Sequence, residues 1–402
     1  MTKLEQLIKE LCPNGVEYKN LGKLFPFIRN GFVGTVTPFY TNAQNGIRYL
    51  QGTNIHNGII SDNEEFYITK EFHAKHSKNE LKNNDILMVQ SGHVGECAVV
   101  GEKYKGSNCH ALIIMSNGGK CNSYYVRYYL QSSSGKRALE KITTGGTVKH
   151  ILASKIKNVI IPVPPIEVQA EIVKILDEYT ESVTALQQEL EAELTARKKQ
   201  YEYYRDLLLD FGVHGGETSE LEWRTIKEIA ENCDSKRKPV TKGKRTSGIY
   251  PYYGASGIVD YVDDYLFDGD YLLISEDGAN LLARSTPIAF SISGKNWVNN
   301  HAHVLRFDTY VTRRFVEIYL NSINLEKYIS TAAQPKLTQD NLNKIPIPYP
   351  TIEEQTRIVN ILDRFDKLCN DISEGLPAEI EARRKQYEYY RDKLLSFEEV
   401  RT

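Results

Sequence analysis

Positive charge is concentrated in two short stretches of the chain, where serine, threonine and glycine lie between the basic residues. Six Lys or Arg residues fall between positions 136 and 157 against one acid, and six fall between positions 232 and 248, again against one acid. Ammonium and guanidinium groups with small polar neighbours are suited to contacts with phosphate oxygens. One cluster alone is equally consistent with a solvated charged face, but two clusters in separate parts of the chain favour nucleic-acid binding.

Motifs for catalysis and for cofactor binding are missing from the sequence. No two of the 27 glycines are separated by one residue, so no G-x-G loop is present, and the P-loop, H-E-x-x-H and G-x-S-x-G motifs are absent. The six cysteines include no C-x-x-C pair, which argues against a zinc knuckle and against a disulfide framework. We therefore expect no catalytic residue and no metal site in this chain.

The basic stretches belong to a chain with an internal repeat. The segment ARKKQYEYYRD at 196–206 recurs as ARRKQYEYYRD at 382–392, an offset of 186 residues. Without gaps, positions 159–211 match positions 345–397 at 27 of 53 places, a level that chance does not give. Fainter similarity precedes each copy, with drifting offsets that indicate a shared fold with different loops. The chain therefore has the order A, B, A′, B′, in which B is nearly copied and A has diverged.

The repeated B segments are predicted to be helical. From Ile172 onwards apolar residues recur in steps of three and four, and the second copy keeps the same seam from Ile358 through Ile372 and beyond. Two matching seams in one chain predict that the two helices pack together. At 1.5 Å per residue, the stretch 166–211 would form a rod of roughly 70 Å.

Proline and glycine mark the limits of these helices. The prolines within 162–165 and 346–350 are expected to stop the preceding segment and to let each helix begin. Residues 373–377 contain both glycine and proline and should interrupt or kink the second helix.

The A segments are predicted to be α+β domains. In the first, residues 85–89 and 96–100 flank the sequence QSGHVG, which is typical of strand, turn and strand. In the second, YPYYGASGIVDYV and DYLLISEDGAN have the same character. The predicted order is an N-terminal segment (1–15), a first domain (16–163), a central helix (164–215), a second domain (216–349) and a C-terminal helix (350–402).

With these features the sequence resembles the specificity subunit (HsdS) of Type I restriction-modification systems. The resemblance covers essentially the whole chain, and its strongest marks are the twin I-P-x-P-x-x-E-x-Q-x-x-I-V-x-I-L-D blocks at 161–177 and 347–363 and the twin YEYYRD helices. It implies that the A segments are two α/β target-recognition domains. They would be separated by two long spacer helices that form an antiparallel coiled coil, with a pseudo-two-fold internal repeat.

The resemblance also implies a non-catalytic role in a larger complex. The chain would read the two halves of a bipartite asymmetric target in double-stranded DNA, and its helices would set the spacer between the halves. Two adenine-N6 methyltransferase subunits would dock on the helices, together with two restriction subunits in the restricting form. S-adenosylmethionine, ATP and Mg²⁺ would be bound by those partner subunits, and no cofactor by this chain.

Candidate DNA-contacting residues are basic or polar side chains of the A segments, which reach phosphates or base edges. In the first domain they are Lys70, Lys75, Lys78, Ser91, His93, Lys136, Arg137 and Lys149. In the second domain they are Lys236, Arg237, Lys238, Lys242, Lys244, Arg245, Arg284 and Lys336. Ordinary solvation is the alternative for each lysine, and phosphate contact is favoured over base contact.

Candidate partner-binding residues lie on the repeated helices. They are Gln169, Tyr203, Arg205, Gln355, Tyr389 and Arg391, for which local capping and pairing within the helix is the alternative role. The tyrosines expected to pack on the seam are Tyr201, Tyr204, Tyr387 and Tyr390. His110 and His301 occupy matched apolar contexts and are expected to be buried core histidines.

Two other functions remain open from the residues alone. A coiled-coil protein-interaction scaffold without DNA binding would use the same helices, and an enzyme with an unrecognised site would need a nucleophile such as Cys109 beside His110. A formal net charge of −2 excludes a uniformly basic coat but allows local basic surfaces. No apolar run approaches the roughly 18 residues of a membrane span, and no signal peptide is evident, so we expect a cytoplasmic protein without membrane contact.

Overall fold

The computed structural model describes residues 1–146, 149–211, 221–330, 334–370 and 375–400. The chain divides into two compact units. Unit 1 comprises Met1–Glu189 and Ile380–Thr402, and unit 2 comprises Leu190–Glu379. Each unit therefore combines a globular domain with helical segments from two distant parts of the sequence. The expected limit of the second domain at 215 and 216 lies outside the described residues.

The globular part of unit 1 is built from short helices and strands that precede a long helix. Its helices are α1 (Lys3–Leu11), α2 (Leu21–Leu24), α3 (Lys70–Lys75), α4 (Ser123–Gln131), α5 (Ser133–Glu140) and α6 (Ala153–Ile156), and the long helix α7 (Ile166–Leu209) follows. Its strands are β1 (Glu17–Asn20), β2 (Phe27–Asn30), β3 (Tyr40–Thr41), β4 (Gly46–Leu50), β5 (Ile55–His56), β6 (Ile59–Ile60), β7 (Phe66–Thr69), β8 (Ile86–Val89), β9 (Cys97–Val99), β10 (Asn108–Cys109), β11 (Leu112–Ser116) and β12 (Ile160–Val163).

Two four-stranded sheets carry the core of this domain. One has the order β2-β11-β8-β9 and is antiparallel, and the other has the order β10-β4-β7-β3, in which β10 runs parallel to β4. The sequences ILMV of β8 and LIIMS of β11 are buried along their whole length, as expected for continuous apolar strands. Strand β1 pairs antiparallel with β12, with Glu17 opposite Val163, so the first and last strands of the domain are neighbours.

Unit 2 repeats this plan with different strand lengths. Its helices are α8 (Ile226–Ile229), α9 (Asn280–Ala283), α10 (Tyr310–Ser322), α11 (Gln339–Leu342) and α12 (Ile352–Asn370), and α13 (Leu376–Leu394) follows. Its strands are β13 (Glu222–Thr225), β14 (Glu231–Asn232), β15 (Ser247–Gly254), β16 (Gly257–Val262), β17 (Phe267–Asp268), β18 (Tyr271–Ser275), β19 (Ala289–Ile292), β20 (Lys295–Val298), β21 (Ala302–Arg306) and β22 (Pro346–Tyr349).

The sheets of the two units correspond in most of their strands, although the fourth strand of the second sheet pairs at opposite edges: β3 pairs with β7, and β17 pairs with β20. The order β14-β21-β18-β19 matches β2-β11-β8-β9, and the antiparallel ribbon β13-β22 matches β1-β12. In the second sheet, β15 is antiparallel to β16 and parallel to β20, as β4 is to β7 and β10. The shared fold expected for the diverged A segments is therefore confirmed, and so is the α+β class with an internal repeat.

In unit 1 the first half of α7 pairs with α13. Ile172 and Leu176 are buried in the same core as Leu395, just beyond the end of α13. Further along α7, the ring of Tyr179 lies 5.6 Å from that of Tyr387, which occurs earlier on α13. Because rising positions on α7 meet falling positions on α13, the two helices are antiparallel.

In unit 2 the second half of α7 pairs with α12 in the same sense. The ring of Tyr204 stacks on Phe365 with centroids 5.7 Å apart, and Leu209 shares a core with Ile358 and Leu362. The predicted antiparallel helix pairing is thus confirmed within each unit. Helix α7 has 44 residues, about 66 Å at 1.5 Å per residue, in agreement with the predicted rod.

The second repeated helix is interrupted at the expected place. Helix α12 ends at Asn370 and α13 begins at Leu376, with Pro377 in its first turn. The predicted seam residue Ile372 lies outside the described residues. No helix in the described ranges is both long and apolar enough to cross a membrane.

The corner between α4 and α5 yields a test of the packing in unit 1. A Cβ at Gly135 would lie 2.0 Å from the carbonyl oxygen of Tyr129, so Gly135→Ala must displace backbone and should cost about 2 kcal/mol. At Gly101 a Cβ would meet nothing within 4 Å, which makes Gly101→Ala the matched control. Urea unfolding followed by circular dichroism should show a lower midpoint for the first variant alone, and equal midpoints would contradict this packing.

Candidate nucleic-acid interface

In unit 1 a turn at the end of a central strand is joined to a hairpin. Residues 90–95 (turn 1) follow β8, and residues 144–150 (hairpin 1) are closed by paired backbone bonds between Thr144 and His150, of 2.7 and 2.9 Å. Ile151 N donates to the carbonyl oxygen of Gln90 at 3.0 Å and so connects hairpin 1 to turn 1. Residues 147–148 of hairpin 1 lie outside the described part of the chain.

Unit 2 has the matching pair of loops. Residues 276–278 (turn 2) follow β18, and residues 330–336 (hairpin 2) are closed by backbone bonds between Ser330 and Lys336, of 2.8 and 3.3 Å. Leu337 N donates to the carbonyl oxygen of Glu276 at 2.8 Å. This bond corresponds to the one from Ile151 N to Gln90 in unit 1. Residues 331–333 of hairpin 2 are outside the described residues.

Turn 1 and hairpin 1 bring together part of the predicted DNA-contacting set. Ser91 Oγ lies 2.6 Å from His150 Nδ1, so the serine already has a partner within the chain. His93 is exposed, and its ring lies edge-on to His56 with centroids 5.9 Å apart. Lys149 is exposed beside His150. These side chains place several hydrogen-bond donors at one site, and in the described part of the chain none of them belongs to a buried ion pair.

Helix α5 adds two more predicted residues to this site. It packs against turn 1, because a Cβ at Gly95 would lie 3.2 Å from Leu139 Cδ1. Lys136 and Arg137 are exposed on the same helix, and Arg137 Nη2 donates to Ser134 Oγ at 3.1 Å.

The remaining predicted lysines of unit 1 lie elsewhere in the domain. Lys70 and Lys75 are exposed on α3, which follows β7 of the other sheet, and Lys78 is exposed just after it. Within the described residues none of the three forms an ion pair. The structure therefore places these lysines beside one sheet, whereas Ser91 and His93 follow β8 of the other.

Turn 2 is held by a buried network of charged side chains. His303 is 1% exposed, and its Nδ1 lies 2.6 Å from Asp234 Oδ2 while its Nε2 lies 2.8 Å from the carbonyl oxygen of Leu337. Arg237 lies between two carboxylates, 3.2 Å from Asp234 and 2.5 Å from Glu276. The network therefore fixes both turn 2, through Glu276, and the end of hairpin 2, through Leu337.

The carboxylates of this network are favoured in their charged form. Burial by itself raises the pKa of Asp234, but the hydrogen bond and charge of His303, the backbone N–H of Val304 and the charge of Arg237 together hold that pKa below its usual value. Burial also raises the pKa of Glu276, but hydrogen bonds from Arg237 and Lys336, together with the charges of His303 and Arg237, hold that pKa below its usual value. Lys336 Nζ lies 3.0 Å from Glu276 Oε1.

Three of these side chains have the composition of a cation site. Ligand atoms of Asp234, Glu276 and His303 lie within 4.8 Å of one another. Arg237 and Lys336 already supply the positive charge that the carboxylates need, and His303 Nε2 is committed to a backbone carbonyl. We therefore assign the cluster a structural role in holding the loops.

Arg237 and Arg245 do not present the free side chains expected for DNA contact. Arg237 is enclosed in the network just described. Arg245 Nη1 lies 3.0 Å from Asp260 Oδ2, and its guanidinium lies 4.3 Å from the centre of the Tyr252 ring. Acids of the same domain already engage both guanidinium groups, so neither arginine has the free side chain that the prediction assumed, and their contact with DNA stays a prediction.

Arg284 is also engaged within unit 2. It has a left-handed φ of 52° at the end of α9, and it donates to the carbonyl oxygens of Leu320 and Ile323 at 3.3 and 2.9 Å. These carbonyls lie at the end of α10, where backbone acceptors lack intrahelical partners. Arg284 therefore caps α10, and its contact with DNA stays a prediction.

The other predicted lysines of unit 2 remain accessible. Lys236, Lys238, Lys242 and Lys244 are exposed, and none of them forms an ion pair within the described ranges. Lys336 is half-exposed and paired with Glu276 as above.

An exposed aromatic pair recurs on the two repeated helices. The rings of Tyr203 and Tyr204 lie 5.4 Å apart at 74°, and those of Tyr389 and Tyr390 lie 5.3 Å apart at 74°. Tyr203 and Tyr389 are 64% and 62% exposed, as expected for partner-binding candidates. Of the four tyrosines expected on the seam, Tyr201 packs against the core of unit 2 and Tyr387 against Tyr179. Tyr204 and Tyr390 contact Phe365 and Tyr179 on one side but remain 37% and 44% exposed.

The two glutamines proposed for partner contact are buried instead. Gln169 Oε1 accepts from the backbone N of Asn122 at 2.8 Å, and its Nε2 donates to the carbonyl oxygen of Pro164 at 2.7 Å. Gln355 Nε2 donates to the carbonyl oxygen of Pro350 at 2.9 Å. Both glutamines hold the start of a repeated helix, which is the local role left open by the sequence.

The matched arginines also depart from the expected outward positions. The Arg391 side chain is 8% exposed and lies 2.9 Å from Asp392. The Arg205 side chain is 21% exposed and lies 2.7 Å from Asp206. The expectation that both arginines face outward is therefore wrong: Arg391 is buried, and Arg205 is largely covered.

The histidine and cysteine expectations have mixed outcomes. His110 is half-buried, 3.4 Å from the Tyr49 hydroxyl, and burial lowers its pKa. His301 is exposed and bonded to Asp277 at 2.9 Å, so the expectation of a buried histidine is wrong there. Burial raises the pKa of the Cys109 thiol to about 12, which makes it a poor nucleophile.

His303 and Asp234 were missed by the sequence interpretation. His303 stands in the apolar strand AHVLR, where a polar side chain that must be buried requires a partner. Asp234 is the lone acid in a basic stretch. A histidine within an apolar strand and a single acid among basic residues each indicate a side chain that is paired within its own domain.

Comparison with known proteins identifies the family. The model of the Type I restriction modification DNA specificity domain matches residues 11–196 and again residues 218–382. The chain belongs to this family. The two matches follow the internal repeat, and the function of the family is DNA sequence specificity in Type I restriction-modification.

Individual relatives agree with this assignment. The EcoR124I/EcoR124II specificity subunit of Escherichia coli is 36% identical over 325 residues, covering 74% of this chain and 76% of that protein. The EcoprrI specificity subunit of Escherichia coli is 29% identical over 383 residues, covering 93% of both. A solved structure on complex assembly and conformational transition of the type I R-M system has a TM-score of 0.68, covers 95% of this chain and 98% of its own, and at 15% identity shows the shared fold.

The buried network yields a test in unit 2. Asp234→Asn removes a carboxylate whose side chain is 6% exposed, so Arg237 and His303 lose their counter-ion and stability should fall by about 3 kcal/mol at pH 7. Because the folded-state pKa of Asp234 is lowered, its contribution is present above the unfolded pKa of about 3.9 and is lost as pH falls further. Calorimetric melting at pH values from 7 downwards should show that the difference in melting temperature between this variant and the wild type becomes smaller below about pH 4.

The exposed Asp308 provides the control for this test. Asp308→Asn should melt like the wild type at every pH. A destabilisation by Asp234→Asn that stays constant down to the lowest pH would contradict the assigned role of the carboxylate.

Proposed function

We propose that this specificity subunit reads a bipartite asymmetric DNA target, one half with each unit. The observation that carries the proposal is one repeated framework bearing two different loop sites. At the matched positions, Ser91 of unit 1 is bonded to His150, whereas its counterpart Asp277 of unit 2 is bonded to His301. Lys336, the counterpart of His150, is paired with Glu276 instead. Loops with different donors and acceptors favour different base sequences, since base edges are read by hydrogen-bond pattern.

The exposed lysines supply the sequence-independent part of this binding. Lys136, Lys149, Lys236 and Lys244 have no acidic partner among the described residues and stay available for phosphate. Phosphate contacts position a protein on DNA and base contacts specify the sequence. Basic loops on a chain of nearly balanced charge concentrate that attraction at the recognition sites.

The repeated helices act as the spacer and as the docking surface for partner subunits. The exposed pairs Tyr203 with Tyr204 and Tyr389 with Tyr390 have the same ring geometry, so each presents the same surface. Two equivalent surfaces favour two copies of one partner. We assign them to two adenine-N6 methyltransferase subunits, with two restriction subunits in the restricting complex.

Catalysis belongs to those partners in this proposal. S-adenosylmethionine would be bound by the methyltransferase subunits, and ATP and Mg²⁺ by the restriction subunits. The Escherichia coli relatives are specificity subunits of restriction enzymes, and the similar solved structure concerns assembly of a type I R-M system. These comparisons support a specificity subunit that directs where the partner subunits act.

The spacer role predicts the outcome of a helix insertion. Four residues inserted after Glu189, in the exposed middle of α7, add about one helical turn and should change the number of unspecified base pairs without changing either half-site. Long-read methylome sequencing of cells that express the variant with its methyltransferase measures both quantities. An unchanged motif would contradict the spacer role, and a bipartite motif that persists after deletion of this gene would contradict the whole assignment.

The lysine assignment predicts a change in salt dependence. Replacing Lys236 and Lys238 by alanine should weaken binding of all DNA sequences alike. It should also flatten the slope of log K against log salt by up to about 0.9 for each phosphate that the variant no longer binds. Fluorescence anisotropy of the complex with its methyltransferase, measured over a salt series, gives the slope.

The control removes the same charge elsewhere in unit 2. Lys227 and Lys327 are exposed outside the two loops, and their double alanine variant should keep the wild-type slope. Equal slopes for all three proteins would contradict phosphate contact by Lys236 and Lys238. Absence of any salt-dependent DNA binding in the wild type would favour the scaffold alternative.

A further inference from the structure

One carboxylate recurs at the same place on both repeated helices. Asp177 lies on α7 and Asp363 on α12, separated by the repeat offset of 186 residues. In each unit a helix of the globular domain donates a hydrogen bond to this carboxylate. The Tyr128 hydroxyl of α4 lies 2.6 Å from Asp177 Oδ1, and Arg314 Nε of α10 lies 2.7 Å from Asp363 Oδ1.

In unit 1 the contact is a chain of hydroxyl groups between three helices. The buried Tyr128 hydroxyl also lies 3.3 Å from Thr180 Oγ1, which in turn lies 2.9 Å from the Tyr387 hydroxyl of α13. The guanidinium of Arg127 lies 3.5 Å from the centre of the Tyr128 ring and 3.8 Å from Asp177. The globular domain is thereby bonded directly to α7 and is linked to α13 through Thr180 of α7.

In unit 2 different donors reach the matched acceptor. Arg314 bonds Asp363 and also Asp366, one turn further on α12, at 2.9 Å. Tyr310 adds a bond from its hydroxyl to Asp363 at 3.2 Å. Glu317 of α10 lies 2.5 Å from the same guanidinium. The two units thus use unrelated residues on the domain side and one shared acid position on the helix side.

These hydrogen bonds fix the position of each globular domain on its helix, which apolar packing alone does not determine. Burial of apolar surface is roughly proportional to area and has no preferred direction, so a domain held on a helix by packing alone keeps freedom to rotate or slide. A hydrogen bond of 2.6 to 2.7 Å to one carboxylate restricts both movements, because hydrogen bonds weaken steeply with distance and angle.

We propose that Asp177 and Asp363 are positioning residues that fix each recognition domain on its spacer helix and so enforce the length of the gap in the DNA target. The inference rests on the proposed bipartite function and assigns its gap selectivity to two named side chains. The length of the helix would set which gap is preferred. The two carboxylates would set how strictly other gaps are rejected.

The test measures gap selectivity in the complete complex. Wild type, Asp177→Ala, Asp363→Ala and the double variant are each produced with the methyltransferase subunits. Methylation rates are then compared on targets whose half-sites are separated by the native gap and by gaps one base pair shorter and longer. The double variant should reduce the preference for the native gap by about tenfold, which corresponds to about 1.4 kcal/mol, while the half-site sequences stay the same.

Matched controls remove neighbouring exposed acids. Glu178 and Glu353 are exposed on the same two helices, and Glu178→Ala and Glu353→Ala should keep the native selectivity. Tyr128→Phe removes the hydroxyl that bonds Asp177 but keeps the ring in place. It should therefore lower gap selectivity as Asp177→Ala does, and it serves as the test if Asp177→Ala does not fold.

The outcomes separate this inference from the function on which it rests. A lower melting temperature with unchanged gap selectivity would show that the carboxylates only stabilise the fold, and would overturn the inference. A change in the half-site sequences at constant gap selectivity would overturn it as well. If the wild type methylates no bipartite target, the proposed function itself fails.

Discussion

The apolar seam of α7 has to be covered in water, and the chain covers it with helices that occur much later in the sequence. Its first half packs with α13 in unit 1 and its second half with α12 in unit 2. Each fully buried aliphatic side chain on such a seam contributes about 1.5 to 3 kcal/mol. Neither globular domain is therefore complete without a segment from another part of the chain. In unit 1 the Tyr18 hydroxyl also donates to the carbonyl oxygen of Phe397, which ties the first strand to the far end of the chain.

The two units preserve contacts while changing the residues that make them. The turns after β8 and β18 are bonded to their hairpins by matched backbone bonds, yet their side chains are a serine with a histidine in one case and a glutamate with a lysine in the other. Backbone hydrogen bonds do not depend on side-chain type, so a duplicated fold keeps its shape as its loops diverge. Side chains exposed on such loops are free to change what they bind.

The sequence predicted the helices, their interruption and the repeat, because these follow from local periodicity and from proline and glycine positions. It did not predict which polar residues are buried. Arg284 finds its acceptors 36 and 39 residues later in the chain, and Gln169 finds a donor 47 residues earlier. Partners so distant in sequence leave no local pattern. Most of the lysines proposed for DNA contact are exposed, whereas most of the arginines are engaged within their own domain, since a guanidinium with several donors is readily enclosed by acids and carbonyls of that domain.

The ribbons β1-β12 and β13-β22 bring the two ends of each globular domain side by side. Glu17 lies opposite Val163, and Glu222 lies opposite Tyr349. The polypeptide thus enters and leaves each domain at one place, next to the proline-bounded start of a repeated helix. A segment exchanged between these paired strands would replace a recognition domain as a cassette and leave the helix seams intact. Under the proposed bipartite recognition, two such cassettes would let a modest stock of domains provide many combinations of half-sites.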